Sequence, residues 1–284
     1  MRRCLTTALI VLASTIAAFA QEKTNLPTED TVNSFLQRMF GYDSSLTWKI
    51  VEIKPSAAPG LADVSVLIST AQGQQNPHIF VTSDGQHALV GDIIPFGADP
   101  FAADRERLKK GINGPARGPA ESTVTIVEFS DLQCPHCKDA QPVLEQLLAA
   151  EPNAHFVFQN FPLPLHNWAS KGAAYADCIG RTSNDAVWKF IQKTYESQAD
   201  ITEANADEKL NAIADASGTK SADVAACAAK PDTRARIDAS LALGRSVGVS
   251  GTPTLFINGR KVALGGAPLD YLKSLVEFDA KQGK

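Results

Sequence analysis

Two cysteines three residues apart, Cys134 and Cys137, stand in the run FSDLQCPHCKDAQPVLEQLL with Pro135 and His136 between them. Thiols at i and i+3 on the first turn of a helix lie on one face, so their sulfurs can close a small ring without unwinding it. The unpaired N–H groups and the dipole at a helix start favour a negative atom at Cys134, and His136, when protonated, adds to that effect. A thiolate stabilised in this way makes the reduced form comfortable and the corresponding disulfide oxidising. Pro135 suits the first helical turn, where its missing N–H has no partner to lose. Cys137, a turn deeper, would resolve a mixed disulfide. A zinc site calls for about four ligands, and the sequence holds no second C-x-x-C and no H-x-x-x-H. A purely structural bridge across so short a loop would add little. The pair is therefore read as a redox tool, with no metal and no dissociable cofactor: the Cys134–Cys137 dithiol carries the electrons itself.

The surrounding elements must present that pair. The run TVTIVEF (123–129) reads as a strand that leads into the cysteines, and a helix extends from 134 to about 150. A second strand follows at 154–160. An Ala-rich helical block covers about 167–247, and two short strands flank Asn258-Gly259 before a last helix, APLDYLKSLVEFDAK. Strand–helix–strand, a helical insertion and a hairpin–helix finish describe an α/β domain over about 120–280. Upstream, TEDTVNSFLQRMF (28–40) reads as a helix capped by Thr28 or Asp30, with an apolar stripe of Val32, Phe35, Leu36, Met39 and Phe40. TWKIVEIKP, ADVSVLIST and HIFVTSDGQHALVGDII read as strands, the last a hairpin around Asp84-Gly85. Residues 26–97 are thus expected to form a small α+β domain in which His78 and His87 are solvated. ADPFAADRERLKKG (98–111) reads as a charged connecting helix and the Gly- and Pro-rich GINGPARGPAEST as the domain boundary, with the helical linker set at 98–119.

Composition narrows the classes. A chain of 284 residues, 44% hydrophobic with a net charge of −4, is neither disordered nor a membrane bundle, and it carries no basic block for nucleic acid. MRRCLTTALIVLASTIAAFA has the basic start, apolar core and A-x-A ending of a secretory signal, so residues 1–20 are expected to leave, Cys4 with them. Export to the periplasm or beyond puts the mature chain where disulfides persist. Four cysteines remain, which allow three pairings. Cys178 and Cys227 fall on helix-like runs of the insertion, and a bridge between them would staple it.

VEFSDLQCPHC, the helical insertion and GVSGTPTLFING together resemble the thioredoxin-fold thiol–disulfide oxidoreductases of the DsbA kind, over about residues 120–280. The resemblance implies a strongly acidic Cys134. It implies that Thr252-Pro253 is a cis-proline loop beside the sulfurs, its backbone pairing with an extended substrate. It also implies that Glu128 is a buried acid that relays a proton to or from Cys137. Asp131 is read as a turn residue, and His166, in FPLPLHNWA, as a capping or surface histidine. Residues 26–97 more weakly resemble the dimerisation domain of the DsbC and DsbG isomerases, which implies a homodimer through the N-terminal domain and a cleft with two CPHC sites. The expected partners are cysteine-containing exported proteins and a membrane redox protein that resets the disulfide. Forming and reshuffling disulfides both remain open. So do two readings from another class, a periplasmic holdase and a copper-handling dithiol protein.

Overall fold

The computed structural model describes residues 25–70 and 73–282, in two compact units. The signal-like segment at 1–20 lies outside the described residues.

The N-terminal elements are helix α1 (Glu29–Phe40) and strands β1 (Thr47–Pro55), β2 (Leu61–Thr70), β3 (Gly73–Gln75), β4 (His78–Thr82) and β5 (Ala88–Val90). Thr28 caps α1, its hydroxyl accepting from the Thr31 N–H at 3.2 Å. Of the expected stripe only Val32 and Leu36 are buried; Phe35 and Met39 are exposed. The sheet runs β1-β2-β4-β5, with β3 beside β2, all in antiparallel pairs where register is defined. The turn between β4 and β5 places Gly85 at φ +68°, as the Asp-Gly signal predicts. His78 is not a free, solvated histidine: its Nδ1 lies 2.7 Å from Asp63 Oδ1 across the β2–β4 pair.

The second unit contains α2 (Ala102–Gly111), β6 (Ala116–Arg117), β7 (Thr125–Ser130), α3 (Pro135–Ala150) and β8 (His155–Asn160). The insertion follows as α4 (Ala169–Gly180), α5 (Asn184–Glu196), a 3-10 turn at Gln198–Asp200, α6 (Ala206–Ala216), α7 (Ser221–Ala228) and α8 (Pro231–Ser246). Strands β9 (Thr254–Ile257) and β10 (Arg260–Val262) and helix α9 (Leu269–Gln282) complete it. Its sheet order is β10-β9-β7-β8-β6, with β7 and β8 parallel and the other pairs antiparallel. Period-two alternation sends β7 side chains to two cores. Ile126 packs with Leu144, Phe158 and the insertion, whereas Val127 and Phe129 pack with Phe161, Leu243 and Phe256. This is the α/β architecture expected, with the helical insertion in its expected place.

The stretch read as a linker belongs instead to this second unit. Leu108 of α2 is buried with Val127 and Phe129, and β6 extends the sheet beside β8. Its glycines serve close approach more than freedom: a Cβ at Gly114 would strike the Phe158 carbonyl, and one at Gly118 (φ +78°) the Ala154 carbonyl. Among the described residues no helix is long and apolar enough to cross a membrane.

Candidate active site

Strand β7 ends at Ser130 and α3 begins at Pro135, so the cysteines sit where the central strand meets a helix start. Cys134 is the N-cap and Pro135 the first helical residue. The backbone carbonyl of Cys134 accepts from the N–H groups of Cys137 and Lys138 at 3.2 and 3.3 Å. Both thiols are free and buried, Cys134 with 3% exposure and Cys137 with none. The Thr252–Pro253 peptide is cis. As a thiol, Cys134 donates to the Thr252 carbonyl at 3.4 Å. As a thiolate it can only accept. The Cys137 thiol, the Thr252 hydroxyl and the Cys137 N–H then outweigh burial and the nearby Asp131 charge, bringing its pKa from 9.0 down to about 6. The Thr252 hydroxyl is buried and has no other partner among the described residues.

Cys137 is driven the opposite way. Burial first, then its hydrogen bond to Cys134 and the charges of Cys134 and Glu128, raise its pKa well above 9.0. One helical turn thus holds an acidic sulfur and a reluctant one.

Glu128 lies beneath them with no exposed surface. Burial raises its pKa from 4.5 to about 7, against hydrogen bonds from Ser130 and Gln141 that favour the carboxylate. Ser130 Oγ donates to Glu128 Oε1 at 2.7 Å and Gln141 Nε2 donates to the same oxygen at 3.2 Å. Tyr195, from α5, reaches Ser130 Oγ with its hydroxyl at 2.8 Å.

Asp131 is more than a turn residue. Its buried carboxylate accepts from the Gln133 N–H at 2.8 Å and the Leu163 N–H at 2.7 Å, and it holds His166 Nδ1 at 2.7 Å. Its own N–H points to Cys137 Sγ at 3.4 Å, and its carbonyl accepts from the Cys134 N–H at 3.0 Å. His166 is accordingly not a free surface histidine, and Asp131 raises its pKa. His136, expected to help the thiolate, is exposed on the first turn of α3 and is absent from the groups that act on Cys134. Cys178 and Cys227 form a disulfide that joins α4 to α7.

Sequence reasoning passed over Ser130, Tyr195 and Gln141. For Ser130 a signal existed, since it stands two residues after Glu128 and must share its face of β7. Tyr195 carried none, because it arrives from the insertion.

A family model described as Thioredoxin matches residues 110–276. Of the curated proteins, the Na(+)/H(+) antiporter NhaA 1 of Salinispora arenicola is 31% identical over 149 residues, 51% of this chain; the chain spans only 22% of that protein's length. Disulfide bond formation protein D of Bacillus subtilis is 26% identical over 182 residues, 59% of this chain and 77% of that protein. A solved thioredoxin-like oxidoreductase from Silicibacter pomeroyi superposes with a TM-score of 0.54 at 26% identity, covering 62% of this chain and 98% of that one. The strand–helix junction that carries Cys134 and Cys137 and the loop that carries Thr252 and Pro253 both fall within the matched residues, and the chain belongs to the thioredoxin family.

Proposed function

We propose that this chain is an exported thiol–disulfide oxidoreductase that forms or exchanges disulfides in secreted, cysteine-containing proteins through Cys134 and Cys137. The observation that carries this reading is the placement of Cys134 at the N-cap of α3, 3.4 Å from the Thr252 carbonyl, with Cys137 fully buried on the turn that follows. With a pKa of about 6, Cys134 is roughly nine-tenths thiolate at pH 7. A substrate thiolate attacks Cys134 of the oxidised pair, a mixed disulfide forms, and Cys137 leaves as a buried thiolate that takes a proton from Glu128. A second substrate thiolate then attacks the substrate sulfur and expels Cys134. The substrate loses two electrons to the pair. Thr252 and Pro253 align the substrate backbone beside Cys134, and Pro135 and the helix start shape the reactive turn. A membrane redox protein would withdraw the electrons, and no dissociable cofactor takes part. The name of the Bacillus relative, a disulfide bond formation protein, supports the same chemistry.

The test refolds a reduced disulfide protein with the mature chain. Cys134→Ser abolishes catalysed oxidation on this reading, and retention of the activity refutes it in favour of a holdase. The mass of chain recovered from the periplasm checks the loss of residues 1–20.

One observation favours an isomerase as a second reading. Strand β5 pairs only with β4 among the described residues, and Leu89 and Val90 on it are 52% and 74% exposed. An open apolar edge invites a strand from a second copy, and a dimer would set two CPHC sites around one cleft. Light scattering on the mature chain and on Val90→Lys tests this. A monomer that oxidises but does not unscramble a misbridged protein removes the isomerase reading.

A further inference from the structure

Cys137 has a backbone donor aimed at its sulfur. The Asp131 N–H meets Cys137 Sγ at 3.4 Å, and neither residue is open to solvent. The Asp131 side chain is what aims that N–H. Its carboxylate has no exposed surface and takes three donors from two segments. The Gln133 N–H, on the reactive turn, reaches Oδ1 at 2.8 Å. The Leu163 N–H and His166 Nδ1, from the segment after β8, both reach Oδ2 at 2.7 Å. The Asp131 carbonyl closes the turn by accepting from the Cys134 N–H at 3.0 Å. An ordinary turn needs only the local bond to Gln133, which an exposed Asn or Ser would also make. A buried charge is costly unless donors satisfy it. Here the donors hold Asp131 on both sides of its Cα, and with it the direction of its N–H.

We propose that Asp131 is a positioning residue: its buried carboxylate, clamped between the reactive turn and the segment after β8, holds its own N–H on Cys137 Sγ to receive the charge of the Cys137 thiolate. This rests on the reading of Cys137 as the resolving cysteine. In the resolving step the Cys137 proton leaves to Glu128 and the thiolate attacks Cys134 of the mixed disulfide. The Cys134–Cys137 bond forms, the bond from Cys134 to the substrate breaks, and the substrate leaves as its thiolate. The pair is oxidised and the substrate sulfur is reduced. Water does not reach a sulfur with no exposed surface, so a fixed N–H dipole takes the place of solvation. In the opposite direction the same N–H receives Cys137 as it leaves.

The charge of the carboxylate works against its position. It raises the pKa of Cys134, and a negative group on the residue that touches Cys137 disfavours a second thiolate there too. Charge and position therefore predict opposite outcomes when Asp131 is replaced. The other charged and titratable groups around Cys137 are Glu128 on β7, Cys134 at the cap of α3 and Tyr195 on α5. Glu145 of α3 bears on Glu128, and His166 bears on Asp131.

The test mixes the reduced mature chain with excess oxidised glutathione. Acid quenching separates two steps: formation of the Cys134–glutathione mixed disulfide, and first-order release of glutathione by Cys137. Asp131→Asn leaves one oxygen for backbone donors that now use two. Asp131→Glu keeps the charge but sets it one methylene further out. Both should slow release about tenfold, the worth of one hydrogen bond to an anion. Formation, which uses Cys134 alone, should keep the parent rate in Asp131→Glu. Faster release in Asp131→Asn, with the parent rate in Asp131→Glu, makes charge the whole role and overturns the proposal. Equal losses in both steps reduce Asp131 to packing and overturn it as well. The parent release rate in both variants removes the positioning role and leaves Cys137 as the resolving cysteine. If the parent itself releases glutathione no faster than Cys137→Ser, the reading of Cys137 falls too. Should both Asp131 variants fail to fold, Cys134→Ser still decides. Its Asp131 amide proton, followed by NMR beside the Cys137 Cβ, must move downfield as Cys137 ionises, and an amide that stays in place overturns the proposal.

Discussion

Glu128→Gln should stabilise the second unit by an amount that grows as pH rises from about 4.5 to about 7. The substitution keeps the shape of the side chain and an oxygen for Ser130 to donate to, and it removes a charge that burial opposes. The carboxyl has a pKa of about 7 in the folded chain against 4.5 as a free side chain. Below pH 4.5 folded and unfolded chains both hold the proton, and the glutamate costs nothing through its charge. Between 4.5 and about 7 the unfolded chain releases the proton while the folded chain keeps it, so rising pH favours unfolding. Above about 7 the full cost is present. A gap of about 2.5 units at about 1.36 kcal/mol each is roughly 3 kcal/mol. The stability difference between Glu128→Gln and the parent should therefore grow by about 3 kcal/mol from pH 4 to pH 8. Urea unfolding of the reduced mature chain measures it. A Trp48→Phe background leaves the fluorescence to Trp168 and Trp188, both in the second unit. Cys134 and His166 titrate in both chains and cancel in the difference. A difference that stays flat from pH 4 to 8, or shrinks, would refute the claim that burial governs this carboxyl.

Iodoacetamide labelling of Cys134 should reach half its maximal rate near pH 6, and Thr252→Val should move that midpoint upward by removing a donor to the thiolate; a parent midpoint near 9 contradicts the site geometry. Asp131→Asn should lower the His166 pKa, read from its ring proton by NMR, because the carboxylate is what raises it. The stabilisation that His166 draws from this pair is complete below about 6.5 and is lost as pH rises through its raised folded value, so the Asn variant should lose more stability at pH 5 than at pH 9. Replacing Cys178 and Cys227 together by Ser opens a loop whose ends are 49 residues apart and should cost about 4 kcal/mol by loop entropy, seen as a lower Tm.

The reactive turn was legible because several local signals agree at one place. Alternating apolar residues end at Phe129, helical spacing begins after Cys134, and Pro135 fits the first turn. Glu128 was less so: alternation places it with Ser130 but does not say whether their face is covered. Its burial depends on α3 and α5, which reach it through Gln141 and Tyr195. His166 and Asp131 read as two ordinary polar residues because the bond between them spans 35 positions. The run 98–119 misled through composition. Its charges and glycines are those of a solvated linker, yet Leu108 alone anchors α2 in a core, and the glycines sit where a side chain would collide with β8 or the turn before it. Local rules located the chemistry; the groups that tune it come from elements joined only by folding.

Opposed acidity within one turn also bears on the direction of exchange in the proposed reaction. In a mixed disulfide on Cys134 two bond-breaking events compete. A second substrate thiolate can expel Cys134, or Cys137 can expel the substrate. The first has the better leaving group, because Cys134 leaves as an anion that the Cys137 N–H and Thr252 already accommodate. The second must first strip a proton from a buried thiol whose pKa lies well above 9.0. Escape by Cys137 is thus slow unless Glu128 is ionised and ready to receive that proton. Acidic solution should close the escape route before it silences Cys134, since the carboxyl loses its charge near pH 7 and the thiolate persists to about 6. The ratio of disulfide donated to substrate released, taken at a fixed concentration of substrate thiolate because a free thiol with a pKa of about 8.5 itself protonates over this range, should accordingly rise between pH 8 and pH 6.5. A ratio that falls over that interval would mean that Cys137 deprotonates without the help of Glu128.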